Sequence, residues 1–347
     1  MSTFKSGAQT DVRSEAEKAR DWQQREVVAT AAFVQWAEKP TASWRNFPIF
    51  NQDGSGSCVA QTQAKELGIM RSLKDGTYVH FSATDIYQRR ANRPAAGMGF
   101  ADVRKIAADG VTLEALAPSQ NMSDAQMDDA LVEPYKREVG KVFSVPNYLG
   151  LPIKSVDDVA SVIQATGKGV MVWFYFNNDG EWTERPVVKD SGLDLAAPST
   201  NRHSVCAVDF TLQGNEKCLI IEDSWGPGTG IGGRRVITEA FFKARNWYAG
   251  YLVNFRFEEA PTQKPQHAFL LDMQLNDSNE EVRALQDCLR YDGEFPSNAQ
   301  STGFFGPITQ RAVGEYQVKH GVLAAPGAPG YGRVGPRTRA ALNAQFA

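Results

Sequence analysis

With 347 residues, 42% of them hydrophobic and 22% charged, the chain is long enough for two domains and apolar enough to bury a sizeable core. A net charge of -3 and a pI near 5.9 argue against nucleic acid or an anionic membrane as a partner. No apolar run approaches the roughly 18 residues that would span a bilayer, and four cysteines are too few for a disulfide framework.

Met1 to Arg20 is polar and lacks the apolar core of a secretory signal, so a cytoplasmic start is expected. Residues 12–38 are rich in Glu, Gln, Arg and Ala, with Val27, Val28, Ala32, Phe33 and Trp36 at helical spacing. This predicts an amphipathic helix ended by Pro40. Further helices are expected over Ser57–Asp75, Thr84–Arg90 and Phe100–Asp109. Strand-like runs follow at Gly169–Tyr175, Ser204–Thr211, Lys217–Glu222, Arg234–Thr238 and Gly250–Phe257, divided by Gly-, Asn- and Pro-bearing turns.

Residues 258–267 are polar and proline-bearing, as linkers are. Beyond them, Asn279–Leu289, Pro307–His320 and Pro336–Gln345 read as three short helices. Ser278 with Glu281 offers a capping box for the first, and Pro307 and Pro336 suit the first turns of the others. No low-complexity tract or tandem repeat is evident. The division expected is a helical extension (1–42), a main domain (43–257), a linker (258–267) and a small domain (268–347).

The chemistry concentrates around Asn51-Gln52-Asp53-Gly54-Ser55-Gly56-Ser57-Cys58-Val59-Ala60. A cysteine opening a helix suits a nucleophile, because a helix N-terminus favours the thiolate over the thiol. Gln52 can offer an amide N–H to an oxyanion forming beside that sulfur. Farther on, Arg202-His203-Ser204-Val205 and Glu222-Asp223-Ser224-Trp225-Gly226 supply a base and a group to orient it. The cysteine falls in the helical half of the main domain and the histidine in the β half, so a site in a cleft between two lobes is expected.

His203 lies 145 residues after Cys58, and Asp223 lies 20 after His203. With this order and spacing, residues 43–257 resemble a papain-like cysteine peptidase. Four blocks carry the likeness: the Gln52…Cys58 loop, Ala96-Gly97-Met98-Gly99-Phe100, the His203 strand, and Asp223-Ser224-Trp225-Gly226 followed by Gly230, Gly232 and Gly233. The resemblance implies an α+β fold with a helical lobe and an antiparallel, barrel-like β lobe. It makes Cys58 the nucleophile, His203 the base, Asp223 its orienter and Gln52 the oxyanion donor. Gly97, Trp225, Ser57 and Ser204 are expected along the substrate path, with Gly97 pairing extended substrate and Trp225 shielding the His203–Asp223 bond.

The chain departs from the family in four ways. Asp223 stands where the family usually has Asn, Ser55 where secreted members have a disulfide cysteine, and Val59 where a tryptophan is common. With about 42 residues before the main domain, the family's long inhibitory prosegment is not expected here: either none is needed, or the helix expected at 12–38 does a smaller version of its work. Cys206 and Cys218 read as buried small hydrophobes, with a pairing left open, and Cys288 as core. His80, His267 and His320 lack metal-ligand spacing, so no metal or cofactor is expected.

In the last domain, Val282-x-x-Leu285-Gln286-x-x-Leu289 precedes Gly303-x-Phe305-Gly306-x-x-Thr309 and Gly332-x-Val334-Gly335-x-x-Thr338. This is similar to the all-α three-helix peptidoglycan-binding domain joined to many bacterial and phage wall hydrolases. The function implied is a thiol endopeptidase acting on protein or peptide and carried to cell-wall material by residues 268–347, after export or release by a non-classical route. Two alternatives stay open: hydrolysis of peptidoglycan stem peptides, and a non-catalytic wall-binding protein that keeps the fold.

Overall fold

A computed structural model describes residues 7–9, 33–132, 147–151, 154–176, 182, 185–190, 192, 201–253, 263–295 and 301–347. They fall into two compact units, one within Met1–Val132 and Ser144–Phe255, the other within Arg256–Ala347. Among the described residues, no helix is long and apolar enough to cross a membrane.

In the first unit, helices α1 (Cys58–Asp75), α2 (Ala83–Gln88), α3 (Phe100–Asp109) and α4 (Asp124–Asp129) precede strand β1 (Asn147–Gly150). Then come α5 (Val156–Thr166), β2 (Val170–Phe176), β3 (Val187–Val188), β4 (Asn201–Gln213), β5 (Glu216–Glu222), β6 (Arg234–Thr238), α6 (Glu239–Arg245) and β7 (Asn246–Val253). The strands form one seven-stranded sheet in the order β1-β7-β2-β4-β5-β6-β3, antiparallel except where β3 joins β6.

Helix α1 has no proline and ends where Gly76 turns left-handed at φ 78° and donates its N–H to the Ser72 carbonyl. It is buried on nearly every side, and Ile69 packs with Trp44, Cys206, Val208, Ile220 and Val236 of the sheet side. Two buried polar contacts fix its position. Lys65 Nζ pairs with Glu222 Oε2 at 2.6 Å, and Glu66 accepts from the Tyr148 hydroxyl at 2.6 Å and the Met171 N–H at 2.9 Å. A buried charge is tolerated only when it is paired or hydrogen-bonded. These partners therefore set where the start of α1 stands relative to the end of β5.

The helix expected over 12–38 lies mostly outside the described residues. Its last part, residues 33–38, is not helical. Instead Leu212 donates its N–H to the Ala37 carbonyl, Gln35 donates its N–H to Gln164, and Trp36 packs edge-on to Phe210 at 5.3 Å. Partners on the β side satisfy this backbone, so the local helical spacing does not prevail. Cys206 stands opposite Glu222 and Cys218 opposite Thr211, so the register keeps the two thiols apart.

The second unit holds α7 (Glu280–Asp292), α8 (Pro307–Lys319) and α9 (Pro336–Phe346) around Leu285, Leu289, Phe305, Val313, Tyr316 and Leu342. Pro307 and Pro336 occupy first turns as expected. The capping box expected from Ser278 and Glu281 does not form. Asn279 is the N-cap and accepts from the Val282 N–H, while Glu281 accepts from the backbones of Leu270 and Leu271.

The unit also uses one device twice. Gln286 accepts from the Gly303 N–H and donates to the Phe304 carbonyl and Thr309 Oγ1. Gln317 accepts from the Gly332 N–H and donates to the Arg333 carbonyl and Thr338 Oγ1. The glycines stand at φ 77° and 74°, a conformation open to residues without a Cβ. The motif Gly-x-x-Gly-Pro-x-Thr, at 303–309 and 332–338, is thus one short structural device used in two separate places.

Candidate active site

Cys58 is the first residue of α1 and is fully buried. Ser57 precedes it without capping the helix through its side chain. Its hydroxyl instead meets Ser55 Oγ at 2.7 Å and accepts from Gln61 at 3.3 Å. No cap side chain therefore competes for the first-turn N–H groups, whose dipoles favour an anion.

His203 enters the site from β4, where the β2 register sets it beside Phe174. Its ring is enclosed by Phe174, Phe176, Trp182 and Trp225, the last with a centroid 5.0 Å away. Nε2 meets Asp223 Oδ1 at 2.8 Å. Nδ1 makes no hydrogen bond of normal geometry among the described residues, while Cys58 lies close enough to act on the ring as an acceptor and a negative neighbour. Burial by itself would lower the imidazole pKa. Asp223 and then Cys58 outweigh it and hold the ring up, to about 9.

Asp223 opens the turn after β5, where its N–H donates to the Gly233 carbonyl. Burial opposes its ionisation, but His203, Arg235 and Trp182 reverse the balance and hold its carboxyl well below the usual range. Oδ1 accepts from His203 and from the Ser224 N–H at 2.7 Å, and Oδ2 accepts from Trp182 Nε1 at 2.6 Å and Arg235 Nε at 3.1 Å.

Gln52 is joined to the same turn. Its N–H donates to the Ser224 carbonyl, its Oε1 accepts from Ser224 Oγ at 2.6 Å, and its Nε2 donates to the Ser55 carbonyl at 2.6 Å. The amide expected to serve the oxyanion and the carboxylate expected to orient the base thus hang from adjacent residues, 223 and 224.

Near the sulfur, Gly56 lies against Ala96 and Gly97. Asp124 Oδ1 accepts from both the Gly56 N–H and the Tyr87 hydroxyl, each at 2.7 Å, and Tyr87 accepts from the Gly97 N–H at 3.1 Å. Gly97 therefore spends its N–H inside the protein. The backbone pairing expected of it is made next door: Met98 donates its N–H to the Gly7 carbonyl at 2.6 Å and accepts from the Gln9 N–H at 2.8 Å. Gly7, Ala8 and Gln9 run parallel to Met98. A Cβ on Gly7 would overlap the Gly56 carbonyl and stand 3.1 Å from Cys58 Sγ, so the N-terminal segment lies directly against the thiol.

The structure brings together Cys58, His203, Asp223 and Trp225, with Gln52 tied to the same turn. Two side chains expected along the substrate path bond within the protein instead. Ser57 is engaged as above, and Ser204 is fully buried and donates to Thr62 on α1 at 3.0 Å. Neighbouring strand residues point to opposite faces, so Ser204 turns from the ring that His203 presents. Trp182 and Arg235 were not singled out from the sequence. Each stands alone among unrelated neighbours, and only folding brings it to Asp223.

No protein-family model matches the chain, and no curated protein matches its sequence. Among solved structures it is similar to xylellain, a cysteine protease from Xylella fastidiosa, at 15% identity and a TM-score of 0.55, covering 73% of this chain and 97% of that one. It is also similar to digestive procathepsin L 3 of Tenebrio molitor larval midgut, at 16% identity and a TM-score of 0.49, covering 65% and 75% of the two chains. For the bromelain protease of Ananas comosus the values are 16%, 0.45, 59% and 93%. The likeness to xylellain shows the fold, a mixed α+β arrangement of papain-like type.

Proposed function

We propose that the protein is a cysteine endopeptidase. In this reading the Cys58 thiolate attacks a peptide carbonyl, and the oxyanion takes hydrogen bonds from Gln52 and the Cys58 N–H. Protonated His203 then gives its Nδ1 proton to the leaving amine, and water completes hydrolysis of the thioester. Asp223 keeps the ring in place through Nε2 and stabilises its charged form. One observation carries the reading: His203 is bonded at Nε2 and left open at Nδ1, with the first residue of a helix, a cysteine, acting on the same ring.

The test is hydrolysis of fluorogenic peptides by the parent and by Cys58→Ala. A loss of roughly 10⁴-fold or more is expected, since nothing else can replace the nucleophile. Equal rates would remove the proposal.

In the same reading residues 7–9 cover the thiol until substrate or processing displaces them, supported by their pairing with Met98 and the approach of Gly7 to Cys58. The second unit is read as the part that holds the enzyme to cell-wall material. Its support is a depression of about 310 Å³ with Val322, Leu323 and Pro336 in its lining and Arg333 and Arg337 beside them. Full-length Cys58→Ala should sediment with purified sacculi, and an Arg333→Ala/Arg337→Ala version should not. Release of muropeptides by the parent would favour peptidoglycan stems over protein as substrate.

A further inference from the structure

A carboxylate at position 223 raises a problem that an amide would not. Asp223 and its partners are fully buried, and a buried anion must be answered by charge and by hydrogen bonds. If His203 were the only cation beside it, the ring would be bound so firmly in its charged form that proton donation from Nδ1 would suffer. The structure holds a second cation. Arg235 on β6 has no exposed side-chain surface and donates through Nε to Oδ2, the oxygen that His203 does not use. Among the described residues its other acceptor is the Arg185 carbonyl, and Asp223 is its one carboxylate partner. Its guanidinium lies 5.0 Å from the ring centre of Trp182, which donates to the same Oδ2.

We propose that Arg235 is a positioning residue of this site. It anchors Oδ2 and balances the charge of Asp223, so that a carboxylate can stand where a neutral amide would otherwise be needed. Cys58, His203, Asp223 and Arg235 then form two anion–cation pairs with no net charge in the ion-paired state. Oδ1 is aimed at Nε2 because Oδ2 is held from behind by two donors. This proposal rests on the reading of Cys58 and His203 as nucleophile and base.

The groups around the ring make its titration a clean reporter. Phe174 and Phe176 of β2, Trp182, and Trp225 after β5 do not titrate. The charged groups acting on it are Asp223 and Cys58, with Arg235 behind Asp223.

The experiment follows the pH dependence of Cys58 alkylation by iodoacetamide in the full chain, read by mass spectrometry, with Cys58→Ala as the control. In Arg235→Gln the alkaline limb should move up by about one pH unit, because Asp223 loses its second cation. In Asp223→Asn it should move down by about one unit, because a buried guanidinium is left without its anion. The double variant Asp223→Asn/Arg235→Gln should label at least tenfold faster than Asp223→Asn, with its limb between the two. Arg235→Lys, which keeps the charge and loses the planar donor, should keep the parent's limb but label more slowly.

Limbs that stay in place in both single variants, or a double variant no faster than Asp223→Asn, would overturn the proposal. Should Arg235→Gln fail to fold, the double variant decides. Its folding and labelling uphold charge balance, and its failure to fold overturns it in favour of packing alone. A parent that does not label at Cys58 would instead overturn the underlying reading of the site, which keeps the two failures distinct.

Discussion

Both units bury polar side chains, but they do so to different ends. In the second, Gln286 and Gln317 each meet a glycine N–H, a carbonyl and a threonine hydroxyl, and the hydrogen-bonding capacity they bury is spent inside the fold. In the first, Asp223 takes four donors, yet the ring it supports keeps one nitrogen without a proper bond beside a sulfur. A closed network is architecture. A network with one open position aimed at a nucleophile is where chemistry is expected, because an unmet buried polar atom is costly unless it is used.

The widest break in this comparison should come from Asp223→Ala. It removes the orienter and leaves Arg235 buried without its anion, and kcat is expected to fall by roughly 10²–10⁴-fold with KM nearly unchanged. Steady-state kinetics on a fluorogenic peptide would check it.

Next comes Gly7→Val. Its Cβ would overlap the Gly56 carbonyl and push residues 7–9 away from Gly56 and Met98. Cys58 alkylation should speed up by roughly 10-fold if the covered state predominates, as timed mass spectrometry would report.

The counterpart in the second unit is Gln317→Leu, which strands the Gly332 N–H, the Arg333 carbonyl and Thr338. A loss of about 2–4 kcal/mol is expected in denaturant unfolding of that unit, with peptide hydrolysis unchanged.

The smallest effect is in pH. His203 is held up to about 9 against an ordinary 6.5, so the stability from its charged form is complete below 6.5 and fades as pH rises through about 9. Asp223 is held below its ordinary 3.8, so its contribution is present above that value and fades as pH falls below it. Thermal stability and kcat/KM should share an alkaline limb near pH 9, seen in parallel melting and rate profiles.

Much of the fold was legible in the sequence, and the reasons are local. Helix α3 and strand β6 match their expected spans to the residue, because apolar period and turn residues coincide there. Cys58, His203 and Asp223 were legible because their motifs are contiguous. Helix α5 was missed although Val156, Val159, Ala160 and Ile163 share its buried face. The non-helical path of 33–38 was misread because its partners, Gln164 and Leu212, lie more than a hundred residues away. Trp182, Arg235 and the Met98 pairing escaped for the same physical reason: strand register and chain crossing bring them to the site. The internal bonds of Ser57 and Ser204 were not legible because proximity in sequence to a candidate site residue does not say which way a hydroxyl points.

The most direct measurement is covalent labelling of the intact protein by an epoxide thiol inhibitor, parent beside His203→Ala, with the labelled residue located by mass spectrometry. The account predicts one label per chain on Cys58 in the parent and a labelling rate at least a hundredfold lower in His203→Ala, in line with the worth of a positioned acid–base partner, about 10²–10⁴. A parent that leaves Cys58 unlabelled, or a His203→Ala protein that labels as fast, would contradict it.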